Sequence, residues 1–196
     1  MVLAGLLAAA YVQTGYWKDS VSLWTHTLAC TSKNYIAHNN LGVVLDVQGE
    51  PEQAAQQFQQ ALRIKPTCAE AHYGLGALLV RQGRLAEAVQ ELERALQLKP
   101  DLAEAHRNSG AALAAQGKWT DAIQQCQRAL QLAPNDAEAC QYLGVALDGE
   151  GDTAKAIPQF QQALKLATAQ GNTALAAAAR AQLQAYAPAS SQSPSP

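Results

Sequence analysis

With 196 residues, 15% of them charged, a formal net charge of −2 and a pI near 6.1, the chain has no cationic excess for neutralising phosphates, so nucleic acid is not expected as a partner. Ala, Gln and Leu dominate, aromatics make up only 6%, and the sparse Val, Ile and Thr favour helix over strand. The four cysteines (Cys30, Cys68, Cys126 and Cys140) form no C-x-x-C pair and have no metal-type spacing.

The first element, residues 1–14, reads differently from the rest. Met1 to Trp17 carries no charge, and MVLAGLLAAAYV is an unbroken apolar run. It is shorter than the roughly 20 residues a membrane-spanning helix needs. It lacks the basic start of a signal peptide, although Ala8-Ala9-Ala10 mimics a cleavage site. Two readings stay open: a buried helix A of a degenerate first hairpin, or the end of a membrane helix, which would make residues 1–14 a membrane attachment.

From residue 35 the sequence is periodic, and internal repeats outrank every other signal. AHNNLG (37–42), AHYGLG (71–76), AHRNSG (105–110) and ACQYLG (139–144) recur every 34 residues. A second glycine follows each after seven residues, at Gly49, Gly83, Gly117 and Gly151. Small residues then recur at Ala54, Ala88, Ala122 and Ala156, and again at Ala61, Ala95, Ala129 and Ala163. Between them sit Phe58, Leu92, Cys126 and Phe160, and prolines close three units at Pro66, Pro100 and Pro134. The pattern predicts four helix–turn–helix units at 35–68, 69–102, 103–136 and 137–170.

Each recurrent residue has a mechanical role. A helical glycine costs about 1 kcal/mol relative to alanine. Gly42, Gly76, Gly110 and Gly144 are therefore expected to let helix A lie tightly against helix B, with Ala54 and its counterparts facing them. Gly49 and its counterparts suit the left-handed end of helix A. The prolines stop helix B. Leu41, Leu45, Leu75, Leu79, Leu113, Leu143 and Leu147 supply the apolar stripe of the A helices. Counting back 34 residues places Gly15, Trp24 and Leu28 on Gly49, Phe58 and Leu62, so 15–34 reads as a half unit with Lys18–Thr31 helical and Asp19 or Ser20 as cap. After the fourth unit, Asn172 or Thr173 caps a last helix within 171–186, whose Leu175, Ala179, Leu183 and Tyr186 form one covering face. Residues 187–196, PASSQSPSP after Ala187, have nothing to bury and are expected to be disordered.

These residues resemble the tetratricopeptide repeat family from Tyr35 to about Gln170, with Ser109 in place of a leucine, Cys126 in place of a larger core residue and Thr168 in place of the fourth proline. The resemblance implies an all-α, right-handed superhelical solenoid of antiparallel helix hairpins. It also implies a concave surface lined by the A helices, where ligands bind. Projected onto that surface are Ile36, Asn39, Asn40, Val43 and Asp46 in the first unit, and Tyr73, Ala77, Val80 and Arg81 in the second. The third contributes Arg107, Asn108, Ala111 and Ala114, and the fourth Gln141, Tyr142, Val145 and Asp148. Val43 and Ala77 stand where chaperone-binding members of the family hold a terminal carboxylate. Asn40 and Asn108 are similar to the asparagine ladder of O-linked N-acetylglucosamine transferases, interrupted here by Gly74 and Tyr142. Side-chain amides both donate and accept, so such a ladder suits an extended peptide backbone.

Chemistry finds little support in the pattern. His38, His72 and His106 recur one per unit, but successive hairpins lie about 8–10 Å apart, too far for shared metal ligation at about 2 Å. Each ring is expected to pack between helices with one nitrogen partnered. Cys126 and Cys140 are expected to be buried thiols, and Glu70, Glu104 and Glu138 to stabilise the first turns of A helices. No nucleophile–base pair, phosphate loop or carboxylate dyad appears. The expectation is a binding scaffold for a protein or peptide, without catalysis, metal or cofactor. An alternative rests on residues 15–42, which resemble the junction where multi-spanning glycosyltransferase-like membrane proteins run into C-terminal repeats. In that setting a catalytic part absent from this chain would carry the activity and the repeats would lie outside the cytoplasm, whereas a free-standing scaffold would be cytoplasmic.

Overall fold

The structure, a computed structural model, describes residues 20–186. The apolar segment 1–14, Gly15, the candidate cap Asp19 and the tail 187–196 lie outside the described residues. Within them the chain forms ten α-helices and no strand. In chain order they are α1 Ser20–Cys30, α2 Tyr35–Val47, α3 Pro51–Ile64, α4 Ala69–Arg81, α5 Leu85–Leu98, α6 Ala103–Ala115, α7 Trp119–Leu132, α8 Ala137–Glu150, α9 Thr153–Ala169 and α10 Thr173–Ala185. The A helices α2, α4, α6 and α8 and the B helices α3, α5, α7 and α9 each start 34 residues apart, and each A helix packs on the B helix that follows it. The chain divides into two compact units, Met1–Pro100 and Asp101–Pro196.

Local chemistry sets the helix ends. Gly49, Gly83, Gly117 and Gly151 follow their A helices with φ between +73° and +94°, a left-handed turn that only glycine adopts without strain. The B helices α3, α5 and α7 stop at Ile64, Leu98 and Leu132, two residues ahead of their prolines, because the intervening Lys65, Lys99 and Ala133 are pushed out of the helical region. Where Thr168 replaces proline nothing stops the helix, and α9 runs for 17 residues against 14 in the other three B helices. Asn34, Asp136, Asp152 and Asn172 cap their helices by accepting a backbone N–H three residues on. Their removal would cost about 1 kcal/mol each.

In the first unit the core gathers Leu41, Leu45, Ala54, Phe58, Ala61 and Leu78, with Trp24 and Leu28 of α1 packed against it. A Cβ on Gly42 would stand 2.8 Å from the Phe58 ring, and one on Gly76 would stand 2.7 Å from Leu92. The glycines thus seat the large B-helix residue, while the fully buried alanines Ala54 and Ala88 bring the helix backbones together.

In the second unit Gly144 seats Phe160 in the same way, and Gly110 lies directly against the Cys126 sulfur. Ser109, which takes the place of a leucine, is 2% exposed. Helix α10 packs on α9 and reaches α8, burying Ala176 and Ala179. Leu183 and Tyr186 close over Leu143, Leu147 and Phe160, with the Tyr186 ring stacked 6.2 Å from that of Phe160. Burying each such side chain stabilises by about 1.5–3 kcal/mol.

Candidate functional site

The residues projected onto a ligand face in the first unit lie on α2 and α4. Val43 is 48% exposed, and Ile36 and Val47, 53% and 84% exposed, continue its face at helical spacing. Asn39 and Asn40 flank this apolar strip half-buried, and the Asn39 amide donates to the Asn40 oxygen at 3.4 Å. The Asn39 Oδ1 is itself buried without a hydrogen-bond partner. On α4, Tyr73 and Ala77 are half-buried, and the Arg81 guanidinium donates to the Asp46 carboxylate across the two A helices. That exposed pair ties α2 to α4 and is worth at most about 1 kcal/mol.

The second unit presents a different face on α6 and α8. Arg107 does not stand free for a ligand: it is held by Asp136 at 3.1 Å and Glu138 at 3.3 Å. Asn108 and Ala111 are half-buried. Two projected residues are instead buried: Ala114 is 5% exposed and Gln141 is 7% exposed, its Oε1 without a partner. Asp148 is engaged as well, accepting from Thr153 at 3.0 Å and from the Tyr186 hydroxyl, so the covering helix reaches the end of this face. Burial first and that hydrogen bond second push the Tyr186 hydroxyl up to about 12.

Packing explains why the asparagine ladder is broken. A Cβ on Gly74 would sit 2.5 Å from the Phe58 ring, which therefore fills the space between Gly42 of its own hairpin and Gly74 of the next. In the second unit the residue matching Phe58 is the much smaller Cys126, and the residue matching Gly74 is Tyr142, which packs against the cluster holding Cys126. Large meets small in the first unit and small meets large in the second. Burial raises the Tyr142 hydroxyl above its ordinary range, with Glu138 adding to the effect. Both interruptions therefore serve the core, a role that reading the A-helix faces alone does not reveal.

The histidine row resolves into hairpin ties. His38 Nδ1 lies 2.8 Å from Gln57 and His106 Nδ1 2.7 Å from Gln125, each joining helix A to helix B. His72 differs: its Nδ1 meets the Glu91 carboxylate at 2.6 Å and its Nε2 the Pro66 carbonyl at 2.9 Å. Among the described residues no three His, Cys, Asp or Glu side chains gather to hold a metal. Cys126 and Cys140 are buried, and burial pushes their thiols up to about 12 and about 11. Glu70 is held below the ordinary carboxylate range first by its own backbone N–H and further by Lys99 at 3.2 Å, as an acidic group in a helix's first turn should be. One nucleophile–imidazole contact went unread in the sequence: exposed Cys30 lies 3.6 Å from His26 one turn earlier on α1. No helix among the described residues is long and apolar enough to cross a membrane.

Comparison with known proteins places these features in a family. A profile described as "Tetratricopeptide repeat" matches residues 6–67 and again 41–103, and a second with the same description matches 101–169. No curated protein matches the sequence. Among solved structures, a crystal structure of MamA is similar at a TM-score of 0.67 and 24% identity, over 78% of this chain and 89% of that one. A MamA fragment from Desulfovibrio magneticus RS-1 is similar at 0.63 and 24%, over 71% and 78%. YrrB, described as a TPR protein with an unusual peptide-binding site, is similar at 0.66 and 25%, over 91% and 88%.

Proposed function

The chain belongs to the tetratricopeptide repeat family, and on that premise we propose that it is a protein-interaction scaffold whose A-helix faces hold an extended peptide or partner segment. The observation that carries this reading is the α2 face. Ile36, Val43 and Val47 are large apolar side chains left uncovered, and amides with an unpartnered buried oxygen flank them. An apolar strip anchors side chains, and the amides match the alternating donors and acceptors of a peptide backbone. The ion pairs of Asp46 with Arg81 and of Arg107 with its two carboxylates hold neighbouring A helices in place, so the binding surface is preorganised. In the first unit Asn40, Val43 and Tyr73 are the contacts assigned to a ligand; in the second, taken by itself, Asn108 is the contact, with Tyr142 in a supporting place. The peptide-binding site of the similar YrrB lends this reading support. The chain's role in this reading is binding rather than catalysis.

The test is a peptide selection from a displayed random library, followed by titration of the selected sequences. Asn40→Ala should weaken peptides held by the first unit, and Asn108→Ala those held by the second, about fivefold each, the loss of one net hydrogen bond at about 0.5–1.5 kcal/mol. Helicity and melting should stay unchanged. Equal affinity in both variants would remove the amide contacts from the proposal.

A further inference from the structure

A second concavity lies on the far side of α4. Helices α3 and α5, the B helices of neighbouring hairpins, do not pack on each other, and the cleft between them has a volume of about 650 Å³. Its floor is His72 and Leu75 of α4. At 100° per residue, the side of α4 bearing His72, Leu75 and Leu79 lies roughly 165° from the side bearing Tyr73, Ala77 and Arg81. The cleft and the peptide face are separate surfaces.

The side chains of this cleft depart from the repeat. Glu91 stands where the other three units carry Gln57, Gln125 and Gln159. Arg63 stands where others carry Gln97, Gln131 and Lys165, and Arg94 where the first and fourth hairpins carry Gln60 and Gln162 and the third carries Arg128. Both Glu91 oxygens are already taken, one by His72 at 2.6 Å and the other by Arg94 at 2.9 Å. The single carboxylate of the cleft is thereby balanced by Arg94, and Arg63, which has no ion-pair partner among the described residues, is the cation left over. The rest of the lining mixes apolar and amide side chains: Leu62, Pro66 and Leu75 stand with Gln59 and Gln97, and Leu98 is 42% exposed. A cation beside leucines and neutral amides is complementary to one kind of ligand.

We propose that this cleft binds a small organic anion with an apolar body, an aliphatic or arylalkyl carboxylate. Arg63 pairs its charged group, Arg94 adds the guanidinium donors that Glu91 leaves over, and Leu62 and Leu75 receive its chain. The volume falls within the span of about 300–1,000 Å³ common to small-ligand sites. Planar guanidinium groups suit a carboxylate through paired N–H donors.

Fluorescence titration with 1-anilinonaphthalene-8-sulfonate, itself an apolar anion, tests the site directly. Saturable binding at one site, displaced by octanoate and not by octanol at the same concentration, is the expected result. Arg63→Gln combined with Arg94→Gln places in the cleft the residues that other units carry, so the hairpins keep their fold. This variant should weaken octanoate at least tenfold with circular dichroism unchanged, while Asn40→Ala with Asn108→Ala leaves octanoate binding intact. Absence of saturable probe binding, equal displacement by octanol, an unchanged affinity in the arginine double variant or loss of affinity in the asparagine variant would each overturn the proposal.

Discussion

At the scale of single residues, the pairing of Phe58 with Gly74 and of Cys126 with Tyr142 shows how two hairpin junctions reach similar packing by opposite routes. The arrangement predicts strong coupling. Phe58→Cys alone leaves a cavity and should cost about 2–4 kcal/mol. Gly74→Tyr alone drives a ring into Phe58 and should cost about 1–3 kcal/mol or more. Made together, they copy the pair found in the second unit, and a double-mutant cycle in urea should return a favourable coupling of about 1–3 kcal/mol. Additive costs would show that Gly74 is small for some reason other than Phe58. The thiols carry a second residue-scale prediction. Cys30 is exposed, while Cys68, Cys126 and Cys140 are buried, so a disulfide-exchange reagent at pH 8 should label one thiol rapidly and the other three only on unfolding. The sign of the pH effect follows from burial. In the unfolded chain thiols ionise near pH 9, but Cys126 stays protonated until about 12. Its contribution to stability is therefore intact below pH 9 and is lost as the pH rises from about 9 to about 12. Rapid labelling of all four thiols in folded protein would contradict the buried placement.

At the scale of helices, termini were the most legible feature and interiors the least. Glycine after each A helix and proline after three of the four B helices act locally, through φ and through a missing N–H, so their effect is readable without knowing what packs where. Thr168 was legible as a missing proline, and its consequence, an α9 three residues longer, follows from the same rule. The ties at Asp46–Arg81 and Arg107–Asp136 join residues 35 and 29 apart, close to one period, yet choosing them among other pairs requires the side-chain directions that only the packed hairpins supply. For the same reason Gln141 read as a surface amide while the structure buries it. Pro158 is the residue that breaks the helical rule. It lies inside α9, exposed, where the other units carry Gln56, Gln90 and Gln124. A proline there leaves the carbonyl four residues earlier without its donor. Pro158→Gln should therefore stabilise the protein, by up to about 3 kcal/mol, and raise its melting temperature by several degrees. A lower melting temperature would mean that the proline shapes α9 to fit α10.

At the scale of the whole chain, the same arithmetic governs both units: an A helix and a B helix bury one side on each other and leave another for a neighbour. That incompleteness makes repeats recognisable from sequence and makes their ends vulnerable. In the second unit the end is α9, whose Ala163 and Ala167 are fully buried beside Ala176 and Ala179 of α10. The cover is polar where it meets the A-helix face, through the Tyr186 hydroxyl and Asp148, and apolar where Tyr186 stacks on Phe160. Ending the chain at Ala169 removes α10 and exposes that surface. Burial at about 25 cal/mol per Å² predicts a loss on the order of 3–6 kcal/mol, with a lower urea midpoint and a smaller slope because less surface is exposed on unfolding. Tyr186→Phe separates the two contributions. It keeps the ring on Phe160 and removes only the hydroxyl, so it should cost about 1 kcal/mol and leave the slope unchanged. If the shortened chain kept the midpoint of the full one, α10 would be a passenger, and the stability of the fourth hairpin would have to come from Phe160 and its alanines alone.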